Sequence, residues 1–201
     1  IQTARMSTHP RTQESRREAT RQALIAAARR LFVDRGYAAT GTPELVAAAA
    51  VTRGALYHHF EDKSDLLMAV AVDMALEVAA AVAASTRPGM SPVQALRAGS
   101  HAYFAAMAEG GRARVLLVDA PAVLSPAQLM LLSEAAGADE LRAGLKACLR
   151  TGRRLPLDEL GSLLSAAFDR AARAVAEGGD VARWTGAMDL LVDAVATELA
   201  T

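Results

Sequence analysis

The stretch GTPELVAAAAVTRGALYHHFEDKS, residues 41–64, carries three helix-start signals in a span too short for three ordinary helices. Thr42-Pro43 is a cap followed by a proline at a first position that needs no N–H. Thr52 and Ser64 are further capping side chains. The spacing predicts short helices over about 43–49 and 53–59, then a long one from Ser64 to about Ala84. Before them, Ala23, Leu24, Ala27, Ala28, Leu31 and Phe32 recur at three and four, giving one buried stripe on a helix from Gln13 to Arg35 that Gly36 ends. Two short helices joined by a tight turn and braced by longer ones form a helix-turn-helix.

The rest of the chain also reads as helix, and the expected fold class is all-α. Hydrophobic residues make up 52% but aromatics only 4%, so the apolar content is mostly Ala, Leu and Val, and period-two alternation is nearly absent. Ser91-Pro92 starts a helix to about Ala108, and a short one over about 112–118 precedes DAPAVLSP. Ser125-Pro126 opens a long segment with a weak point near Gly137. After a loop at 151–156, helices over about 157–177 and 181–199 close the chain. The single Cys148 excludes an internal disulfide and any multi-cysteine zinc site; it reads as a small buried hydrophobe, with a redox sensor as the alternative. The polar, basic first residues have no apolar core of a secretory signal, and Met6 is a candidate start. Residues 66–84 are long enough to span a bilayer, but Asp73 and Glu77 interrupt one helical face, so an amphipathic helix of a cytoplasmic protein is expected, with no membrane partner.

Charge is zero overall yet uneven. Residues 1–60 hold nine Arg against four Asp or Glu, and the remainder thirteen Arg or Lys against eighteen. A basic N-terminal end leans towards an acidic partner such as nucleic acid. On the second short helix, Leu56 and Phe60 are four apart and suit an anchor to Leu45 and Val51. Thr52, Arg53, Ala55, Tyr57 and His59 fall on the other side. Arg53 can read guanine or bind phosphate, Ala55 can touch a thymine methyl, and Tyr57 and His59 can donate to phosphates. Thr42, beside orphan N–H groups, suits a phosphate as well. The neighbouring His58 and His59 point about 100° apart on a helix, which is poor for shared metal ligation, so no metal or cofactor is expected. Nucleophile motifs, HExxH and glycine-rich phosphate loops are missing, which argues against an enzyme.

TGTPELVAAAAVTRGALYHHFEDKSDLLMAV, residues 40–70, resembles the signature of the tetracycline-repressor (TetR) family of bacterial transcription regulators. The resemblance covers residues about 15–70, and LLVDAPAVL at 116–124 is similar to the C-terminal half of some members. Ala50 stands where the family's turn usually has glycine, and Val46 where a smaller residue is more common. The resemblance implies an N-terminal three-helix helix-turn-helix DNA-binding domain (13–63) and a C-terminal helical effector-binding and dimerisation domain (64–201). It implies DNA- or phosphate-facing positions at Thr42, Thr52, Arg53, Gly54, Ala55, Tyr57, His58, His59 and Lys63. It further implies a homodimer on a palindrome-like double-stranded operator, with recognition helices roughly 34–36 Å apart, released by a small-molecule effector.

The last two helices offer two apolar stripes for that dimer: Leu160, Leu163, Leu164, Ala167, Phe168 and Ala171, and Met188, Leu191, Val192, Val195 and Leu199. The alternative is that they pack inside the monomer. The middle helices are expected to hold an apolar or aromatic ligand against His101, Tyr103, Phe104, Met107, Leu117, Met130, Leu131 and Phe168, with His101 or Tyr103 as polar handles. Competing functions are a helical protein-interaction module that has lost DNA binding, a ligand-binding enzyme on a helical scaffold, and an activator in place of a repressor.

Overall fold

A computed structural model describes residues 13–200; the candidate start Met6 lies outside them. Among the described residues the regular structure is helical throughout. Helix α1 (Gln13–Arg35) is followed by the short α2 (Thr42–Ala48) and α3 (Arg53–His59), and then by the long α4 (Lys63–Ser85). α5 (Pro92–Ala108) and α6 (Arg112–Arg114) lead into a π turn (Val115–Asp119), which continues directly into α7 (Ala120–Val123). α8 (Pro126–Ala135), α9 (Ala138–Cys148), α10 (Leu157–Ala176) and α11 (Val181–Ala200) complete the chain.

The serine-proline starts behave as expected. Ser91 and Ser125 each accept from the N–H three residues on, and Gln94 and Gln128 reach back to the cap N–H. Two caps differ. α2 begins at Thr42 itself, with Gly41 as the cap residue and Glu44 accepting from Gly41 N at 2.9 Å. α4 is capped by Asp62, not Ser64: Asp62 accepts from Asp65 N at 2.8 Å, and the Ser64 hydroxyl donates to Asp62 at 2.6 Å. A carboxylate accepts more strongly than a hydroxyl and complements the positive end of the helix, so it wins the cap.

The segment expected to stop near 118 does not stop. Pro121 has no N–H to give the Leu117 carbonyl, and its ring crowds that oxygen. The helix widens into the π turn rather than ending, and Arg173 of α10 donates its guanidinium to Leu117 O.

α4 belongs to both cores. Its Leu66, Leu67, Val70, Ala71 and Met74 pack with Leu24, Ile25, Ala28 and Phe32 of α1, Leu45 of α2, and Leu56 and Phe60 around α3. Val115, Ala120, Leu124 and Leu132 close this first core, which therefore runs past residue 63. Val78 begins the second core with Phe104, Met107, Leu117, Leu145, Leu164, Phe168, Met188, Val192 and Leu199. α4 is long and apolar enough to cross a membrane, and here its apolar face is the shared wall of these two cores.

Towards its middle α4 is held by an ion-paired carboxylate, Glu77. Arg29 of α1 grips the carboxylate with both Nη atoms, the Nη2 contact at 2.7 Å. Arg112 of α6 adds Nε at 3.0 Å and Nη2 at 2.8 Å while donating Nη1 to Ala106 O. Hydrogen bonding to Arg29 foremost, set against burial and helped by Arg112, holds the Glu77 carboxyl down to about 2 from 4.5.

The turn between α2 and α3 forms a Schellman motif. Val51 N donates to Val46 O at 3.0 Å and Ala50 N to Ala47 O at 3.2 Å, which sets Ala50 at φ 53°. The same motif ends α10 with Gly178 at the equivalent position, φ 97°. An alanine there keeps a Cβ clash that glycine lacks. Ala50→Gly is therefore expected to raise the unfolding free energy by roughly 1 kcal/mol, seen as a higher urea midpoint with an unchanged slope. Glu77 generates a pH prediction. A depressed carboxylate contributes stability that is present in full above its unfolded value of 4.5 and lost as pH falls towards about 2. Glu77→Gln should lower stability at pH 7 and flatten the loss between those values in urea titrations.

Candidate nucleic-acid interface and effector cavity

The interface is built on α3. Thr52 caps it by accepting from Ala55 N at 3.1 Å, which fixes its start. Leu56 and Phe60 are almost fully buried, so the helix can turn only its other side outward. Thr52, Arg53, Gly54, Tyr57 and His58 are exposed on that side, with Ala55 and His59 half-buried. Thr42, half-buried at the first turn of α2, belongs to the same surface. The Arg53 guanidinium lies 5.6 Å from the Tyr57 ring centroid. Arg53 first, then the Thr42 hydroxyl, draw the Tyr57 phenol below its ordinary value. Three donors from two helices therefore converge on one outward point, an arrangement that suits a phosphate or a base edge.

The histidines divide. His58 is exposed, and its ring meets His59 edge-on at 5.3 Å. His59 faces α1; burial, then His58, Arg17 and Arg21, push its imidazole down, which favours the neutral donor form. Both line a shallow groove with Arg16, Arg17 and Thr20 of α1. Among the described residues no group of three or more His, Cys, Asp or Glu is gathered as a metal site.

Lys63 requires a correction. Its Nζ donates at 3.0 Å to both Tyr37 O and Thr40 O and sits 4.0 Å from the Tyr37 ring centroid. Both carbonyls lie in the connection between α1 and α2; Tyr37 O also accepts from Thr40 N at 3.2 Å, and Thr40 O is served by the ammonium, so Lys63 is first a brace of the fold.

Behind this head a cavity of about 570 Å³ opens between α4, α5, the π turn, α8, α9 and α10. Of the residues expected to line it, Tyr103, Met107, Leu117 and Phe168 do. Phe104 is buried behind them and meets Tyr103 edge-on and Phe168 at a tilt, with ring centroids 5.8 Å apart in each pair. His101 turns away to Asp189 of α11, 2.9 Å distant, and Met130 and Leu131 are exposed on the outer side of α8. Leu129 and Leu132 face the cavity in their place, because α8 presents the other side of its turn inward. Sequence reasoning missed Ser100, Asp169 and Arg173, which are on its wall. The spacing of Ser165, Asp169 and Arg173 at four places them on one face of α10, and that signal was available.

The stripe assigned to a dimer interface mostly turns inward. Leu164, Phe168 and Met188 are buried in the second core, and Leu160 and Val195 are half-buried against it. Leu191 is exposed, as are Leu163 at 69% and Leu190 at 73%. α10 and α11 each have apolar residues on two sides, and the richer side is taken by the monomer. Cys148 is half-buried at the edge of the second core, and burial pushes its thiol up, away from reactivity.

Residues 24–70 match the family of bacterial regulatory proteins described as tetR, and residues 93–197 match the tetracyclin repressor-like C-terminal domain. The chain is 46% identical over 57 residues to the Transposon Tn10 TetC protein of Escherichia coli, covering 28% of this chain and 29% of that protein. It is 53% identical over 47 residues to the HTH-type transcriptional regulator AcrR of Shigella flexneri, covering 23% and 22%. Both matches span less than a third of the relative's length. A TetR-family transcriptional regulator of Pectobacterium atrosepticum superposes with TM-score 0.70 at 30% identity, over 94% of this chain and 97% of that one.

Arg53 and Lys63 should separate in mutation. Arg53→Ala is expected to leave the urea midpoint unchanged. Lys63→Ala removes two hydrogen bonds and leaves Thr40 O without its ammonium partner, and should cost about 1–2 kcal/mol of stability, measured by the same denaturation.

Proposed function

Since the chain belongs to the TetR family of DNA-binding transcriptional regulators, we propose that it is a repressor that binds a palindrome-like operator as a homodimer and lets go when a small molecule fills the cavity. The observation that carries the DNA half is the convergence of Arg53, Tyr57 and Thr42 on the outward side of a helix whose inner side is locked by Leu56 and Phe60. In this reading α3 enters the major groove, Arg53 reads a base edge or phosphate, and Tyr57 and Thr42 hold a phosphate. The groove of His58, His59, Arg16 and Arg17 takes the flanking backbone.

The π turn supports the release half. Its Leu116 and Leu117, with Pro121, face the cavity. On its other side Asp119 accepts from Tyr37 N at 3.3 Å and Arg114 donates to Arg35 O at 3.3 Å, both at the end of α1. Tyr37 O is also one of the carbonyls that Lys63 holds at the start of α4. A ligand that favours one setting of this turn over another shifts α1 and α4 with it, and operator affinity falls by linkage.

For the dimer, the exposed face fits where the buried stripe does not. Ala187, Leu190, Leu191 and Ala194 recur at three and four along α11, all exposed, with Leu163 exposed on α10. Two such faces make a self-complementary contact.

Selection of bound sequences from random DNA tests the whole reading. Enrichment of an inverted repeat supports it, and no enriched motif would sink it. Arg53→Ala should weaken the selected site and lower the salt slope by about one. Leu163→Glu with Leu190→Glu should give a monomer by light scattering that no longer holds the repeat.

A further inference from the structure

The cavity wall is mostly apolar, and its charged groups are two carboxylates, Asp169 and Glu140, against one guanidinium, Arg173. Asp169 of α10 accepts a hydrogen bond from the Tyr103 hydroxyl at 2.6 Å. No Lys, Arg or His lies within salt-bridge distance of Asp169 among the described residues. Arg173, one turn along on the same face, donates to Leu117 O. Glu140 adds a second carboxylate to the lining. On α5, three residues before Tyr103, Ser100 is 3% exposed, lines the cavity, and its Oγ has no hydrogen-bond partner. A buried hydroxyl without a partner costs stability and persists where something else completes it. Tyr103 and Phe168 meet at 5.7 Å beside the carboxylate and give the site aromatic walls.

We infer that the effector is a lipophilic amine, an apolar body with one protonated nitrogen that pairs with Asp169 and donates to Ser100 Oγ and the Tyr103 oxygen. This rests on the reading of the cavity as an effector site. An ammonium brings three N–H donors and a positive charge. The site offers a carboxylate with no cation in direct contact, a hydroxyl acceptor without a partner and a phenolic oxygen whose own proton is committed to Asp169. Ring faces beside a cation add attraction. A carboxylate ligand would meet two carboxylates, Asp169 and Glu140, against one guanidinium already engaged by Leu117 O, and a neutral alcohol would leave Asp169 without a directly paired cation. The rest of the wall, Leu96, Met107, Leu116, Leu132 and Leu141 among others, receives the hydrocarbon.

The test titrates the full-length protein by calorimetry with decylamine, decanol and decanoate, each below its aggregation concentration. Decylamine is expected to bind at least tenfold more tightly than decanol, and decanoate more weakly than either. Asp169→Asn keeps an acceptor for Tyr103; it should reduce the amine advantage to under threefold and leave decanol unchanged. Should that variant lose decanol binding as well, Ser100→Ala decides: its amine preference must fall while decanol holds. Decanoate binding most tightly, no probe binding, or the amine preference surviving in the deciding variant overturns the assignment. The same probes are added to the protein on its selected operator. Release by decanol or decanoate without an amine preference leaves the regulator standing and removes the amine. Selective amine binding with no release does the reverse.

Discussion

Burial of one face of α4 is the constraint on which the structure depends. Seven residues from Leu66 to Val78 are sealed on that face. The first five contact the helices that carry the nucleic-acid interface, and the last contacts the helices around the cavity. A rigid rod shared by two cores cannot shift at one end without disturbing the other, because packed interiors transmit displacement instead of absorbing it. Glu77 sits where the two cores meet and ties α1 and α6 to the rod with two guanidinium groups. Removing either arginine would leave the carboxylate with half its partners, which gives the junction a preferred setting.

The π turn is the second joint. Regular helix from α6 to α7 would need an N–H at Pro121 that does not exist, so the chain adopts a wider turn whose carbonyl is served from α10. Such turns are marginal against ordinary helix and recur at functional positions. Here one side of the turn contacts the cavity and the other the end of α1, so a small change in helical winding is felt on both.

Much of this was legible in the sequence. Serine-proline pairs, Thr52 and the three-and-four spacing of leucines fixed element types and most boundaries, because these signals depend on neighbours close in the chain. Ala50 stood out only through the resemblance, whose turn usually has glycine there, and the left-handed backbone accounts for that preference. What was not legible depended on partners far along the chain. Whether Leu164 and Met188 face their own core or a second copy cannot be read from their spacing, since α10 and α11 have apolar residues on more than one side. Lys63 looked like a free cation until two distant carbonyls came beside it. The cavity's polar corner joins α5 to α10, some sixty-six residues apart at Tyr103 and Asp169, and only the fold brings them together.

The reach of the first core also bears on how such a protein can be divided. Leu66, Val70, Val115, Ala120 and Leu132 complete the packing around Phe32 and Leu56. A fragment cut after α3 would expose those contacts to water and lose the cap that Lys63 provides. Any chimera that moves the helix-turn-helix onto another sensor therefore has to carry the first half of α4 and a matching π-turn segment with it, so the natural seam for recombination runs through the middle of a helix rather than through a loop.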